Sequence, residues 1–184
     1  MRLKGRDVSI KKLFYLFIYY SFLYYLPSSV CIISPVGYLS KKLRYLCCRR
    51  IFKYCGKNVN IERKANFGSG LNIEIGDNSG IGVNASIPSD TIIGKNVMMG
   101  PNCYILKINH LFDKIETPMI KQGFSTPKTT YIGDDVWIGR DVLMTPGRVI
   151  KQGSIIAGGC VLCKDFPEYS IVGGNPSVLI KTRR

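Results

Sequence analysis

Histidine and acidic residues are scarce in this chain of 184 residues. It contains a single histidine, and its 26 Lys and Arg residues outnumber 12 Asp and Glu residues, which gives a formal net charge of +14 at pH 7. A catalytic zinc site usually takes three protein ligands, and histidine is prominent among them. One histidine per chain cannot supply three imidazole ligands to a site in every subunit, even when neighbouring subunits share ligands, so the sequence argues against a histidine-ligated zinc enzyme.

The chain also lacks an apolar run that is long enough for a conventional membrane-spanning helix. Residues 13–40 carry no charge, but the strongly apolar part, LFYLFIYYSFLYYL at residues 13–26, ends at Pro27. A span needs about 20 apolar residues. No small-residue cleavage site follows in the usual arrangement, so we do not expect a signal peptide.

An aliphatic residue recurs at every sixth position in two arms of the chain: Ile75, Ile81, Ile87, Ile93, Met99 and Ile105, then Ile132, Ile138, Met144, Ile150, Ile156 and Leu162. This period fits neither the 3.6-residue helix nor simple strand alternation. It is typical of a solenoid in which each hexad forms one short strand and turns a corner, and three hexads complete a triangular coil. An ordinary β-sandwich would not keep one phase through two such arms. The predicted fold class is therefore an all-β solenoid of hexapeptide repeats.

Other positions of the repeat agree with stacked coils. Glycine follows the aliphatic residue at positions 76, 82, 94, 100, 133 and 139, where the chain must bend close to its neighbours. The fourth residue after the aliphatic one is small or β-branched: Ser79, Ala85, Thr91, Val97, Cys103, Val136, Val142, Ser154 and Cys160. Corner residues that tolerate left-handed turns are Asp77, Asn78, Asn84, Asn96, Asn102, Asp134, Asp135 and Asp141. Arg148 breaks the small-residue rule, and the sequence offers no reason for it.

Cysteine usage indicates a reducing compartment. The seven cysteines are an odd number without a disulfide-rich layout, which favours the cytoplasm. Cys160 and Cys163 have the spacing of a zinc or redox pair. However, Cys160 occupies a small-residue position of the repeat and no second ligand pair exists, so we expect no metal.

The positive charge is concentrated in the N-terminal third. Residues 1–57 contain 12 Lys and Arg residues and one acid, a net charge of +11, whereas residues 58–184 carry +3. Two interpretations of a helical extension at residues 1–55 remain open and are compatible. It covers the exposed strand edges at one end of the solenoid, or it docks on an anionic membrane, as tyrosines and flanking lysines suggest. No nucleic-acid recognition motif is present, so we expect no nucleic-acid partner.

One long loop interrupts the repeat and carries the histidine. Residues 106–130 separate the two arms, and the arms are 27 residues apart, which is not a multiple of six. Long loops within a regular array are usually functional. His110 stands beside Asn109 and ahead of Asp113, and an imidazole with an unperturbed pKa near 6.5 suits a general base at neutral pH. Asp113 is a candidate to orient the imidazole.

Four features together resemble the hexapeptide-repeat acetyltransferases of the left-handed β-helix superfamily, and most closely their sugar and polysaccharide O-acetyltransferases. They are the hexads, NHLFD at 109–113, IGDDVWIG at 132–139 and KDFPEYSIVGGNPSVLIK at 164–181. The similarity covers about residues 56–181. It alone implies the left hand of the coil, since general crossover rules favour the opposite hand. It divides the chain into the extension at 1–55 and an acyltransferase domain at 56–184, with a C-terminal cap at 165–184.

The resemblance implies specific roles for residues. His110 matches the general base and Asn84 an active-site asparagine near the acceptor or acetyl group. Contacts to acetyl-CoA are implied for Trp137, Gly139, Ala157, Gly158, Gly159, Lys164 and Lys181. The family assembles as homotrimers with active sites between subunits and uses no metal.

The expected activity is transfer of an acetyl group from acetyl-CoA to a hydroxyl of a sugar or cell-surface polysaccharide intermediate. The hydroxyl would attack the thioester directly in a ternary complex, in the cytoplasm or at the inner face of the cell membrane. Serine or antibiotic O-acetylation by the same fold remains open, and so does a non-enzymatic, membrane-attached scaffold. The zinc carbonic anhydrases built on the same coil are excluded, since they need three histidines per site.

Overall fold

The computed structural model describes the backbone of residues 2, 3, 6 and 7 and the whole of residues 9–183. The helices are α1 (Ile10–Ser21), α2 (Ser34–Ile51) and α3 (Met119–Gln122), with a 3₁₀ turn at Leu23–Tyr25. The strands are β1 (Arg2–Leu3), β2 (Arg6–Asp7), β3 (Tyr54–Cys55), β4 (Asn60–Ile61), β5 (Glu74–Ile75), β6 (Gly80–Ile81), β7 (Ile92–Ile93), β8 (Met98–Met99), β9 (Tyr104–Ile105), β10 (Tyr131–Ile132), β11 (Trp137–Ile138), β12 (Leu143–Met144), β13 (Val149–Ile150), β14 (Ile155–Ile156), β15 (Val161–Leu162), β16 (Ser170–Gly173) and β17 (Val178–Thr182).

The short strands stack in parallel on three faces. Face one consists of β3, β5, β7, β10 and β13, and face two is formed by β4, β6, β8, β11, β14 and β16. Face three contains β9, β12 and β15, preceded by parallel bridges from Asn66 to Ser86 and from Ser86 to Tyr104. From β3 to β15 the chain visits the faces in this order, once per coil. The predicted parallel β-solenoid of hexapeptide repeats is therefore confirmed.

The predicted aliphatic ladder forms the core. Eleven of its twelve residues are buried, and Met99 is packed against the core while partly exposed. The small-residue positions, such as Ala85 and Cys103, are fully buried beside the ladder. Glycine is required after the ladder residue because the coils approach closely. At Gly139, a Cβ atom would lie 2.5 Å from the Gly158 nitrogen of the next coil.

Two kinds of corner residue hold the coils. Six of the eight predicted corner residues have positive φ: Asn78, Asn84, Asn96, Asn102, Asp135 and Asp141. Asp77 and Asp134 do not adopt the left-handed conformation that these residue types tolerate. Their carboxylates instead accept hydrogen bonds from the backbone N–H groups of Lys57 (2.6 Å) and Lys95 (2.7 Å), one coil earlier.

The structure accounts for Arg148. Its guanidinium donates to the carbonyl oxygens of Cys163 (3.0 Å) and Pro146 (3.3 Å) and lies 3.3 Å from the Asp165 carboxylate. Asp165 in turn accepts from the Val149 N–H. Arg148 thus ties the last two coils together from a half-buried corner.

The N-terminal helices pack on the first coil. Tyr19 of α1 is buried and donates to the Ala65 carbonyl (2.8 Å), while Lys12 donates to the Ile51 carbonyl at the end of α2. Cys48 and Ile51 of α2 are fully buried in the same core. These helices cover apolar surface that the first coil would otherwise expose.

A buried cation fastens α2 to the coil. Arg44 is fully buried, and its guanidinium donates to the carbonyl oxygens of Ile61 and Pro27 and lies 3.7 Å from the Glu62 carboxylate. Burial alone would raise the pKa of Glu62, but hydrogen bonds from Ser29 and Asn60 outweigh it and hold the pKa below its usual value. The carboxylate is therefore ionised beside the arginine.

None of the helices in the described ranges is long and apolar enough to cross a membrane. At the other end of the chain, β16 continues face two in parallel and β17 folds back on it antiparallel. This hairpin lies next to the last coil, beside Ala157, whose N–H donates to the Val172 carbonyl (2.8 Å).

Candidate active site

The loop at residues 106–130 leaves the solenoid after β9 on face three and returns at β10 on face one. Its base is held by an ion pair between Lys107 and Asp90 at 3.6 Å. Its tip is held by the Gln122 side chain, which donates to the carbonyl oxygens of Lys114 (2.8 Å) and Thr117 (2.6 Å). The loop is thus internally bonded and belongs to the corner between faces three and one.

His110 lies on an exposed hairpin within this loop. It pairs antiparallel with Phe124, and the two rings stack with centroids 4.4 Å apart at 37°. Flanking backbone bonds join Leu111 to Gly123 (3.1 Å) and Ser125 to Asn109 (2.8 Å). In the described part of the chain, no protein group hydrogen-bonds to the imidazole, so both ring nitrogens are free to meet a substrate.

Asp113 lies three residues further along the loop and is exposed. Among residues 9–183, no hydrogen bond or ion pair links its carboxylate to His110. An orienting role for Asp113 therefore stays a prediction.

Asn84 lies at another corner, between faces two and three. Its side-chain amide donates to Asn102 (3.1 Å), whose amide donates to Asp141 (2.8 Å). Hydrogen bonds from Asn102 and then Arg140 hold the pKa of the Asp141 carboxyl below its usual value. Asn84 is exposed at the start of this row of hydrogen-bonded side chains, which stabilises the corner. Its contact with an acceptor stays a prediction.

The predicted cofactor glycines share the corner of Asn84. Gly139 follows β11, and the turn of Ala157, Gly158 and Gly159 lies directly over it in the next coil. Gly158 and Gly159 are exposed, and Gly159 has φ +71°, which favours glycine. Trp137 precedes Gly139, and half of its side-chain surface is exposed. The corner presents uncovered backbone beside an indole ring.

The two predicted lysines lie apart from each other. Lys181 lies on β17 opposite Ile171, in an open groove that Thr182 and Arg183 also line. Lys164 follows β15 and has its ammonium group 5.5 Å from the centroid of the Phe166 ring. Lys181 is thus on the side of face two, whereas Lys164 is at the corner of the loop.

Sequence reasoning missed Phe124, and it did not specify which backbone N–H groups near Gly139 lack an acceptor. The Gly139 N–H donates to the Ile156 carbonyl (2.7 Å), but no acceptor is found for the Arg140 and Gly158 N–H groups within residues 9–183. No signal in the sequence marks Phe124, because residues that pair within an irregular loop do not follow a repeating sequence pattern. The free N–H groups could have been sought only after the stacking of the coils was known.

His110 is the predicted general base and the Phe124 ring contacts it, so replacing Phe124 with alanine should lower kcat roughly tenfold and leave binding of the expected cosubstrate acetyl-CoA unchanged. Phe124→Tyr, which retains the ring contact, should restore most of the activity. Phe112→Ala is the matched control, because Phe112 is an exposed aromatic residue of the same loop without a ring contact to His110. Steady-state kinetics and calorimetric titration of acetyl-CoA check this. Equal losses in both alanine variants would contradict a specific role.

Within residues 9–183, no cluster of three or more His, Cys, Asp or Glu side chains is arranged to hold a metal ion. The cysteines in this part of the chain are all free thiols. Burial raises the pKa of the Cys160 thiol, while a hydrogen bond with Ser177 lowers that of Cys163.

A parallel β-helix with this ladder, an inserted histidine loop and a glycine corner is the architecture of the hexapeptide-repeat transferases. The family model described as bacterial transferase hexapeptide (six repeats) matches residues 72–107. A maltose O-acetyltransferase from Clostridium difficile 630 is 31% identical and superimposes with a TM-score of 0.62 over 78% of this chain and 76% of its own. The chain belongs to the hexapeptide-repeat acetyltransferases, a family of left-handed β-helix proteins.

Two further comparisons extend this result. A galactoside acetyltransferase solved in complex with coenzyme A is 27% identical and superimposes with a TM-score of 0.72, over 96% of this chain and 84% of its own. A chloramphenicol acetyltransferase from Klebsiella aerogenes is 43% identical over 61 residues, 33% of this chain and 29% of that protein. The aligned part of this chain therefore spans about a third of the length of that curated relative.

Proposed function

We propose that this protein is an acetyl-CoA-dependent O-acetyltransferase that modifies a hydroxyl of a sugar or cell-surface polysaccharide intermediate in the cytoplasm. The observation that carries the proposal is the exposed imidazole of His110, which accepts or donates no hydrogen bond within residues 9–183, on an internally bonded loop of an acetyltransferase fold. The maltose and galactoside enzymes favour a sugar acceptor, and the coenzyme A complex of the latter favours the donor.

The geometry supports a site shared between subunits of a homotrimer. His110 belongs to the corner between faces three and one, whereas Asn84, Gly139 and Gly158 belong to the corner between faces two and three. Within residues 9–183 the loop's contacts are with itself and with its own corner, which favours a site completed by a neighbouring subunit. Large apolar side chains also stay exposed on the flat faces: Tyr54, Met98, Tyr104, Tyr131 and Trp137.

In the proposed reaction, His110 removes the proton from the acceptor hydroxyl while its oxygen attacks the thioester carbonyl. The C–O bond forms, and the carbonyl oxygen takes up negative charge. The Arg140 and Gly158 N–H groups are the donors available at the glycine corner for this oxyanion. As the C–S bond breaks, the imidazolium returns the proton to the sulfur and coenzyme A leaves as a thiol. A general base of this kind contributes about 10²–10⁴-fold.

Acetyl-CoA would bind along the glycine corner. The uncovered turn at Ala157, Gly158 and Gly159 lets the pantetheine arm approach the backbone, beside Trp137. Lys181 on β17 offers a cation for a phosphate of the cofactor. Lys164, at the loop corner, would serve a cofactor bound at the neighbouring interface.

A second acceptor class is favoured by one observation. One relative that is 43% identical over 61 residues is a chloramphenicol acetyltransferase. An antibiotic hydroxyl requires the same base and the same donor, so the acceptor alone separates the two functions. Serine is the third acceptor to be tested.

The test is thiol release from acetyl-CoA with a panel of nucleotide sugars, oligosaccharides, capsular glycans, chloramphenicol and serine. We expect turnover with one or more carbohydrate acceptors and an acetylated product by mass spectrometry. Turnover with chloramphenicol or serine alone would replace the proposed acceptor. Absence of acetyl-CoA binding by calorimetry would overturn the enzyme and leave the solenoid as a scaffold.

A further inference from the structure

The two N-terminal helices have an outer face that no residue within the described range 9–183 covers. On α1, the side chains of Ile10, Phe14 and Phe17 are 77%, 59% and 64% exposed. Spacings of four and three residues place them on one side of the helix, opposite buried Tyr19. Exposed apolar patches of this kind usually mark an interaction site.

α2 also has an exposed apolar side with a similar spacing of three and four residues. Its exposed aliphatic residues are Val36, Leu39, Leu43 and Leu46. Gly37, Arg44 and Cys48 on the opposite side are buried. Each helix therefore has one side that packs on the rest of the protein and a second side whose apolar residues face solvent.

Cations accompany the exposed apolar side chains. Lys42, Arg49 and Arg50 of α2 are exposed, and Lys11 of α1 is exposed next to Ile10. No Asp or Glu occurs between residues 8 and 61. An open groove of about 740 Å³ joins the start of α1 to the end of α2, and it brings Lys11, Lys12 and Arg50 together with apolar Ile10 and Phe14.

We infer that this outer face of α1 and α2 docks on the surface of an anionic lipid bilayer. The phenyl and aliphatic groups would enter the interfacial region, and the cations would meet headgroup phosphates. The charge is complementary to such a surface. It opposes pairing of this face with a second copy of the chain, because two strongly basic surfaces would then be brought together.

This inference reconciles the two functions that the sequence left open for the extension. The inner sides of the helices cap the first coil, and the outer sides remain available for lipid. β9, from which the histidine loop leaves, lies two coils beyond the first, roughly 10 Å along the stack at 4.8 Å per coil. If the proposed acetyl transfer holds, docking would keep the enzyme at a bilayer in which an acceptor can be anchored.

The experiment is cosedimentation of the full-length protein with phosphatidylcholine vesicles, with and without phosphatidylglycerol. We expect binding to the anionic vesicles at low salt, at least tenfold weaker binding to the neutral ones, and release at high salt. Protein that stays in the supernatant with both kinds of vesicle at low salt overturns the inference. Protein that sediments without vesicles, and stops doing so in Phe14→Ser/Phe17→Ser, assigns the face to self-association instead.

Two double variants locate the docking face. Lys42→Glu/Arg49→Glu should weaken binding to anionic vesicles by about 30-fold or more, because each basic residue contributes about fivefold near such a surface. Phe14→Ser/Phe17→Ser should weaken it at least tenfold by removing the inserted rings. The matched controls are Lys95→Glu and Ile115→Ser, at an exposed corner lysine and an exposed loop isoleucine, and both should bind like the wild type.

The folding and the activity of these variants separate this inference from the proposed function. Since the replaced side chains are exposed, circular dichroism and thermal unfolding should be unchanged. Thiol release with a soluble acceptor should also be unchanged in the two double variants, because none of their four residues lies at the glycine corner or in the histidine loop. Wild-type binding by either double variant would show that the outer face is not the docking site, whatever the acetyl-transfer assay gives.

Discussion

Replacing His110 with alanine should lower kcat by about a hundredfold or more while acetyl-CoA still binds. A sugar hydroxyl is a poor nucleophile until its proton is removed, and a positioned base contributes typically 10²–10⁴-fold. The glycine corner that would hold the cofactor lies elsewhere on the coil and does not contact the imidazole. Thiol-release kinetics should therefore show the loss, and calorimetric titration should show an unchanged dissociation constant for acetyl-CoA.

The control for this experiment is Lys114→Ala. Lys114 is exposed in the same loop, and its hydrogen bonds to Gln122 use its backbone. It should keep wild-type kcat. His110→Gln keeps a polar side chain of similar reach but cannot accept and return a proton in the same way, so it should be as impaired as the alanine variant. Wild-type activity in either His110 variant would remove this residue from the proposed mechanism.

The fold could be predicted because the repeat leaves few alternatives. Ile138, for example, is six positions along the chain from the preceding and following aliphatic residues. In space it stacks on Met99 and Ile156 of the two adjacent coils. Each hexad repeats the same demand for an aliphatic residue, a close-approach glycine and a small side chain. Agreement across these three positions is a global constraint, so it survives local irregularities.

The first coil escaped the analysis of the repeat because its spacing is irregular. Tyr54 pairs with Glu74, 20 residues later, whereas Glu74 pairs with Ile92, 18 residues later. The two extra residues break the six-residue phase before Ile75. Phe67 then fills the interior where an aliphatic residue stands in later coils, and it is fully buried.

The candidate site was predicted less completely than the fold. The sequence indicates which loop leaves the coil, so it identifies His110. It does not indicate that Phe124 will stack on the imidazole, because hairpin pairing in an irregular loop depends on tertiary contacts. Nor does it place Asn84 and Gly139 at one corner and His110 at another, which depends on where each hexad falls in the triangle.

Removing the buried cation of the N-terminal cap should produce the largest loss of stability. Arg44→Ala leaves the Ile61 and Pro27 carbonyl oxygens without their donor and Glu62 without its counter-charge. Breaking a buried ion pair from one side usually costs about 3–5 kcal/mol. We therefore expect the free energy of unfolding to fall by about that amount in a urea titration. Arg49→Ala, at an exposed arginine of the same helix, should stay within about 0.5 kcal/mol of the wild type.

A second pair of variants separates the ion pair from mere packing. Arg44→Met/Glu62→Gln removes both charges and retains much of the buried volume, so it should be more stable than Arg44→Ala. If the two variants are equally unstable, the packing of the arginine stem or its bonds to the carbonyl oxygens matter more than the counter-charge.

The pH dependence gives an independent check on Glu62. Its pKa is lower in the folded state than in the unfolded chain. The stability that this shift contributes is therefore present above the unfolded pKa, near about 4.3, and is lost as the pH falls through the folded value. Wild-type stability should thus decline on acidification below about pH 4 by more than that of Glu62→Gln, which has no carboxyl group to protonate at this position. If the free energies of unfolding of the two proteins change in parallel between neutral pH and pH 3, the ionised Glu62 carboxylate does not contribute to the stability of the N-terminal cap.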